Sequence, residues 1–326
     1  MLKISIIIPV YNVETSIERC ARSLYEQTYP HIEYIWVNDA TPDTSMGILK
    51  RVTDEYPQRK ADVRIVEHSC NRGLPTARNT GLSMATGDYV YHCDSDDWAD
   101  VDMIEELVIQ AEFENADIVW CDFYKSYRDK EVLVKQDFVA FPMQCISNLL
   151  SERMHGGYWN KLIRRSLYTE NNIEFSAQAN MCEDLRGSIQ LFYYAKRVAY
   201  YPESFYHYVQ SSGHSLSADF SPDKLDSILV NIDGIIRFLQ DKGDEGIFKE
   251  EINYLKLLGK RSLLITTDKS RFIQWRSIYP EANGYILSYA ALPVSLRLVG
   301  WCAYRQWWFG ISVWIGLKKI KNKIFG

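Results

Sequence analysis

No two cysteines in this chain stand close enough to form a paired motif. The seven cysteines (Cys20, Cys70, Cys93, Cys121, Cys145, Cys182 and Cys302) contain no Cys-x-x-Cys, and their number is odd. In a chain of 326 residues this excludes a disulfide framework and a zinc centre of ordinary ligand spacing, and it points to a reducing, cytoplasmic compartment. Positive charge is scarce too: 37 basic residues against 42 acidic ones give a formal net charge of -5, which argues against general nucleic-acid binding. Low-complexity tracts and internal repeats are missing. The apolar run Ile4 to Val10 after Met1-Leu2-Lys3 is short, meets Pro9 and Asn12, and lacks a small-residue cleavage site, so a first strand is expected rather than a signal peptide. Acidic residues stop altogether at Glu281, while Arg297, Arg305, Lys318, Lys319, Lys321 and Lys323 follow it. The tail therefore carries +6 and the preceding chain -11.

What is present is an ordinary globular balance, 47% hydrophobic and 24% charged, with length enough for two or three domains. Strand-like runs at Ile4–Val10, Glu33–Asn38 and Val63–Glu67, from Tyr89 into the acidic Asp94–Asp97 stretch, and at Asp117–Phe123 alternate with helical patterns over the first 125 residues. That alternation predicts a doubly wound α/β sheet, in which ligands gather at the carboxyl ends of the strands. Three polar clusters fall at such ends: Pro9–Asn12, Asn38–Asp43 and Asp94–Asp97. Asp43 is expected to cap the second helix. Asp94, Asp96 and Asp97 crowd three carboxylates into four residues, which a core does not accept unless a cation neutralises them. On an extended backbone Asp94 and Asp96 would point the same way, suited to a hard divalent ion with open positions for phosphate oxygens. A solvated acidic turn ahead of the next helix is the plainer alternative.

These stretches resemble the family-2 glycosyltransferases of GT-A fold. The resemblance runs through Ser5-Ile6-Ile7-Ile8-Pro9-Val10-Tyr11-Asn12, Val37-Asn38-Asp39-Ala40-Thr41-Pro42-Asp43, Asn71-x-Gly73 with Ala77-Arg78-Asn79-x-Gly81, and Ala85-x-Gly87-Asp88-Tyr89 leading to Asp94-Ser95-Asp96-Asp97. It implies transfer of a sugar from a nucleotide diphosphate, most often UDP, with inversion and with Mn²⁺ or Mg²⁺ as cofactor. Pro9, Val10, Tyr11, Asp39, Asn71, Arg78, Asp94, Ser95 and Asp97 would serve the donor, with Tyr11 stacking on the base, Asp39 bonding its ring and Arg78 approaching the diphosphate. Asp94 and Asp96 would hold the metal. Asn38-Asp39-Ala40-Thr41 departs from the usual Asp-Asp-Gly-Ser, and Ala40 puts the turn geometry in question.

Further on, Trp159-Asn160-Lys161 resembles another family segment, with Lys161 positioning the acceptor half or the phosphates or, alternatively, a salt-bridged surface lysine. The resemblance makes Asp184 the general base, with Glu183 beside it; capping of the apolar helix that follows is the alternative. His214 and Ser215 would close over the diphosphate. Residues 1–125 read as the nucleotide-sugar half, 126–217 as an acceptor half for a saccharide or lipid-linked substrate, and 218–326 as a helical C-terminal region. Its uncharged run from Gln306 to Leu317 is shorter than the roughly 20 residues that span a bilayer. Tryptophans beside lysines suggest instead that residues 293–326 contact the inner face of the cell membrane, the alternative being a helix docked on the protein. Two other functions remain open at this point. One is a nucleotidyltransferase, which usually shows a glycine-rich basic loop that Pro9–Asn12 does not supply. The other is a non-catalytic sugar-nucleotide sensor or membrane scaffold.

Overall fold

The computed structural model describes residues 1–177, 179–210 and 221–325. In chain order the elements are β1 (Ile4–Val10), α1 (Ile17–Tyr25), β2 (Ile32–Asn38), α2 (Ser45–Asp54), β3 (Val63–Glu67), α3 (Leu74–Met84), β4 (Tyr89–His92), β5 (Trp98–Ala99), α4 (Met103–Glu114) and β6 (Ile118–Ser126). They continue as β7 (Glu131–Val134), α5 (Pro142–Leu150), β8 (Lys161–Arg164), α6 (Arg165–Asn171), α7 (Glu183–Tyr194), β9 (Val198–Val209), α8 (Pro222–Asp241), α9 (Lys249–Gly259), α10 (Lys269–Ser277), α11 (Val294–Tyr304) and α12 (Trp308–Phe325).

One mixed sheet runs in the order β3-β2-β1-β4-β8-β6-β9-β5, with β7 paired to β6. All seven residues of β1 are buried, because β2 and β4 flank it in parallel and helices cover the sheet. A strand covered on both faces reads as a continuous apolar run, which is why Ile4–Val10 is legible. Beyond β4 the sheet turns antiparallel at β8 and runs on through β6 and β9. The predicted doubly wound α/β sheet and helical C-terminal extension are both present. Several boundaries shift. Helix α1 begins at Ile17, not near Glu14, and β6 extends to Ser126. Helix α2 starts at Ser45, whose N–H donates to Asp43 Oδ1 at 3.1 Å, so Asp43 caps from one residue outside the expected position.

The larger correction concerns the acidic stretch. Strand β4 stops at His92, and Asp94–Asp97 is a turn closed by Asp97 N–H to Asp94 O at 3.1 Å. The same-side argument from an extended backbone therefore does not apply to Asp94 and Asp96.

The chain divides into two compact units. One holds Met1–Ile146 and resumes at His155; the other holds Ser147–Met154 and the chain from α8 onward. The first is built on the sheet, with Ile6, Ile8, Tyr34, Trp36 and Tyr91 in its core. The second is helical around Leu257, Phe272, Trp275, Tyr289, Ala303 and Ile311. Its short segment is anchored by Glu152, which pairs with Arg261 at 2.8 Å and accepts from Tyr289 Oη at 2.6 Å.

Candidate active site

The ends of β1, β2 and β4 meet two helices, α3 and α7. At the end of β1, Pro9 and Val10 are buried, and the chain then emerges with Tyr11, whose ring is 43% exposed. Asn12, at φ +54°, donates its N–H to Thr41 Oγ1 at 2.9 Å. Thr41 N–H donates to Asn38 Oδ1 and its hydroxyl to Asp43 Oδ1, so the first two strand ends are tied together. Ala40 sits at φ +54°, the left-handed region that glycine occupies without a Cβ penalty. The turn keeps its geometry with alanine and carries the strain.

Asp39 is buried and accepts three bonds, from His68 Nδ1 at 2.7 Å and from the N–H groups of Arg72 and Gly73 at 2.8 Å each. His68 Nε2 meets Thr80 Oγ1 at 2.9 Å. Gly73, at φ +84°, turns the loop into α3, while Asn71 stays exposed at its start. Asp39 thus pins the loop that launches α3. Farther along, Gly81 lets α3 lie on β1: a Cβ there would come within 2.3 Å of Ile7 Cγ2.

That close approach sets Arg78, which is 3% exposed. Its Nη2 donates to Asp94 Oδ1 and its Nη1 to Glu183 Oε1, each at 2.9 Å. The guanidinium carbon lies 5.8 Å from the Tyr158 ring centroid and 5.7 Å from that of Phe175. Phe175 is itself held by Asn79, which donates to and accepts from its backbone at 2.8 Å in both directions. Among the described residues, Arg78 Nε has no partner, nor does the buried Tyr158 hydroxyl.

Glu183 and Asp184 form the first turn of α7, behind Cys182 at φ +63°. Burial and the neighbouring Asp184 charge push the Glu183 carboxyl up to about 8, against the pull of Arg78. Asp184 is half-buried and accepts the Leu185 N–H at 2.7 Å. Asp96 is open to solvent although protein crowds it on most sides; that crowding and Asp94 push its carboxyl up to about 6. Three carboxylates, those of Asp94, Glu183 and Asp184, act on the Arg78 guanidinium, and Asp96 stands beside Asp94. Among the described residues, Asp96 and Asp184 have no ion-pair partner.

Residues 5–174 match the family described as Glycosyl transferase family 2. The chain is 32% identical over 257 residues to the uncharacterized glycosyltransferase EpsJ of Bacillus subtilis (strain 168), covering 77% of this chain and 73% of that protein. The chain belongs to glycosyl transferase family 2. This transferase is an enzyme that moves a sugar from a nucleotide-diphosphate donor, which decides among the functions left open by the sequence.

The transferase also shares its GT-A-like fold with S. aureus TarS 1–349 solved with UDP-GlcNAc, at TM-score 0.70 and 17% identity over 98% of this chain and 92% of that one. A mannosyltransferase of Pyrobaculum calidifontis, solved with GDP-Man and Mn²⁺, superposes at TM-score 0.53 and 18% identity, covering 99% and 88% of the two chains.

Not every residue singled out in the sequence lies open in the transferase. Asp97 is fully buried under the turn, accepting from Tyr206 Oη at 2.8 Å and from Val209 N–H at 2.7 Å, and burial with Asp96 and Asp94 holds its carboxyl well above the usual range. The same Tyr206 hydroxyl accepts the Asp94 N–H at 3.2 Å, so β9 braces the turn from below. Ser95 is buried as well. Lys161 is no surface lysine. It is 1% exposed, and its ammonium donates to His155 O, Gly157 O and Asn160 Oδ1, while burial brings its pKa down to about 7. His214 and Ser215 lie outside the described residues. Sequence reading gave no role to His68, Asn79, Tyr158 or Tyr206. Each acts through a partner distant in the chain, and no local spacing announces it.

The acidic surplus tests whether a metal fits. No grouping of three or more His, Cys, Asp or Glu side chains that could hold an ion by themselves occurs among the described residues. Asp96, which has no ion-pair partner among the described residues, and the neighbouring Asp94 still fit a hard cation that completes its shell with phosphate oxygens and water, the usual habit of Mg²⁺ in nucleotide sites.

Proposed function

We propose that this transferase takes its sugar from a UDP-sugar, passes it to a saccharide or lipid-linked acceptor with inversion at the anomeric carbon, and works at the inner face of the cell membrane. Asp184 is the general base. The acceptor hydroxyl gives its proton to the Asp184 carboxylate as its oxygen bonds to the anomeric carbon and the bond to the diphosphate oxygen breaks. A single displacement of this kind inverts the centre.

The observation that carries this reading is the Arg78 bridge. By holding Asp94 and Glu183 at 2.9 Å each, Arg78 fastens the turn after β4 to the start of α7, where Asp184 is the next residue. Arg78 is then a positioning residue, with one bond from each Nη holding the two carboxylates. Asp94 and Asp96 would hold Mn²⁺ or Mg²⁺, which supplies Lewis-acid neutralisation of the departing diphosphate when bound. Tyr11, exposed at the end of β1, is the platform for the base. Asp97 and Ser95 support the turn from beneath.

Nucleotide release across a panel of UDP- and GDP-sugars tests the donor, with one UDP-sugar expected to dominate. Calorimetry with UDP, with and without chelator, tests the metal. Equal affinity in both arms would remove the metal from the proposal while leaving the transferase intact.

A further inference from the structure

Helices α11 and α12 each bury one side. Val299, Cys302 and Ala303 from the first and Ile311 and Ile315 from the second join the core of the helical unit. A docked helix usually presents polar residues on its other side. Here the outer side is apolar as well. Val294, Leu298 and Trp301 follow the i, i+4, i+7 spacing of one helix face, and all three are exposed. At the corner between the helices, Gln306 takes φ +57°, and Trp307 and Phe309 stand out at 52% and 71% exposure.

These rings form a contiguous cluster. Trp301 and Trp307 have ring centroids 6.4 Å apart, and Trp307 and Phe309 the same. The corner is also tight, since a Cβ on Gly310 would come within 2.8 Å of Trp307 and 2.9 Å of Cys302. Isolated exposed apolar residues need no explanation, but a contiguous aromatic patch on a packed corner marks an interaction surface.

The surrounding charge selects the partner. Arg305 sits at the corner, Arg297 lies earlier in α11, four lysines follow in the sequence of α12, and no acidic residue lies beyond Glu281. A second copy of this surface would set six positive charges against six. An anionic surface complements them. No described helix is long and apolar enough to cross a membrane.

We propose that the α11–α12 corner docks on an anionic lipid bilayer, with the rings of Trp301, Trp307 and Phe309 seated at headgroup depth and Arg305 toward the lipid charge. This deepens the membrane location proposed above and rests on it, but it is independent of the sugar chemistry. Deleting residues 293–326 is not a fair test, because it would strip Val299, Ala303, Ile311 and Ile315 from the core.

The test uses full-length protein and flotation with vesicles of phosphatidylcholine, with or without phosphatidylglycerol. The parent is expected to float with the mixed vesicles and to be released by added salt. A Trp307→Ser/Phe309→Ser double variant should bind at least about tenfold more weakly, since it withdraws two large rings from the interface. Arg305→Gln should weaken binding less and flatten the salt dependence. Both sites are exposed, and unchanged circular dichroism and melting confirm the fold. Parent protein that ignores both vesicle types, or a double variant that floats as well as the parent, overturns the proposal. A dimer by light scattering that the double variant dissociates, without vesicle binding, overturns it in favour of self-association. Turnover of a soluble acceptor is not the readout, so an inactive protein that still floats separates the two proposals.

Discussion

In the sheet-built unit the buried charged side chains include Glu33, Asp39, Arg78, Asp97, Asp122, Lys161 and Glu183. In the helical unit, among the described residues, buried charge amounts to Lys260. The helical unit differs at its surface by a cluster of rings, Trp301, Trp307 and Phe309. Burying charge costs free energy unless each group is paired and hydrogen-bonded, and replacing it with apolar packing is often neutral or stabilising. A unit that keeps seven such groups does so where geometry matters more than stability. Most of them meet at the strand ends: Asp39 pins one loop, Arg78 joins two carboxylates, and Asp97 braces the acidic turn. The helical unit has no such demand, and its apolar surplus points outward.

The sharpest way to break this contrast is at Asp184. If its carboxylate takes the acceptor's proton, Asp184→Asn should lower kcat by about 10²- to 10⁴-fold and leave donor affinity nearly unchanged. If Asp184 only caps α7, asparagine caps about as well and turnover stays near normal. Transfer rate and UDP affinity, with melting as a control, distinguish the two. Normal turnover in a folded variant would move the base elsewhere, with Glu183 next in line.

Arg78→Met attacks the hidden charge itself. It leaves Asp94 and Glu183 facing each other without their shared guanidinium, and breaking a buried ion pair from one side costs about 3–5 kcal/mol. Denaturant unfolding should show that loss, and adding Glu183→Gln should recover part of it. If Arg78→Met unfolds at the parental midpoint, the bridge is not a stabilising tether.

How much of this was legible in the sequence follows from where each interaction lies. Strands β1 and β3 could be bounded from sequence because each is an uninterrupted run between turn residues. The acidic turn was mistaken for a continued strand, since three aspartates carry no signal of where pairing ends. Its position at a strand end was nonetheless correct. Lys161 reads either as a substrate-positioning lysine or as a salt-bridged surface one; only the carbonyls of His155 and Gly157, brought around it by the turn before β8, make it an interior group. Tyr206 braces Asp97 across 109 residues and His68 holds Asp39 across 29, so both depend on tertiary placement that no local pattern encodes.

Lys161 and Lys260 sharpen the comparison, because each unit encloses one ammonium among oxygens. Lys260 donates to Ile278 O, Tyr279 O and Asn283 Oδ1. Burial lowers both to about 7, whereas an unfolded lysine titrates near 10.4. Between those values the folded chain binds fewer protons than the unfolded one, so stability should rise from about pH 7 to pH 10 and fall back as pH returns to 7. Unfolding midpoints across that window check the sign. Lys260→Met should remove its share of the slope and leave that of Lys161, and an unaltered slope would show that Lys260 does not titrate there.

The smallest expected effect lies in the backbone of the site. Ala40 holds φ +54° between Asp39, which pins one loop, and Thr41, which ties the first two strand ends together. A left-handed conformation costs a residue with a Cβ about 1–2 kcal/mol, and glycine pays none of it. Glycine also gives the unfolded chain more freedom, which takes back about 0.4–1 kcal/mol. Ala40→Gly should therefore stabilise by about 1 kcal/mol at most, a rise in Tm of about 2–4 °C at best for a unit of this size. UDP affinity should hold, because the neighbouring hydrogen bonds fix the turn with either residue. A lower Tm would mean that the tied loop already absorbs the strain; a higher Tm with weaker UDP binding would mean that the alanine methyl, and not only the turn, belongs to the donor site.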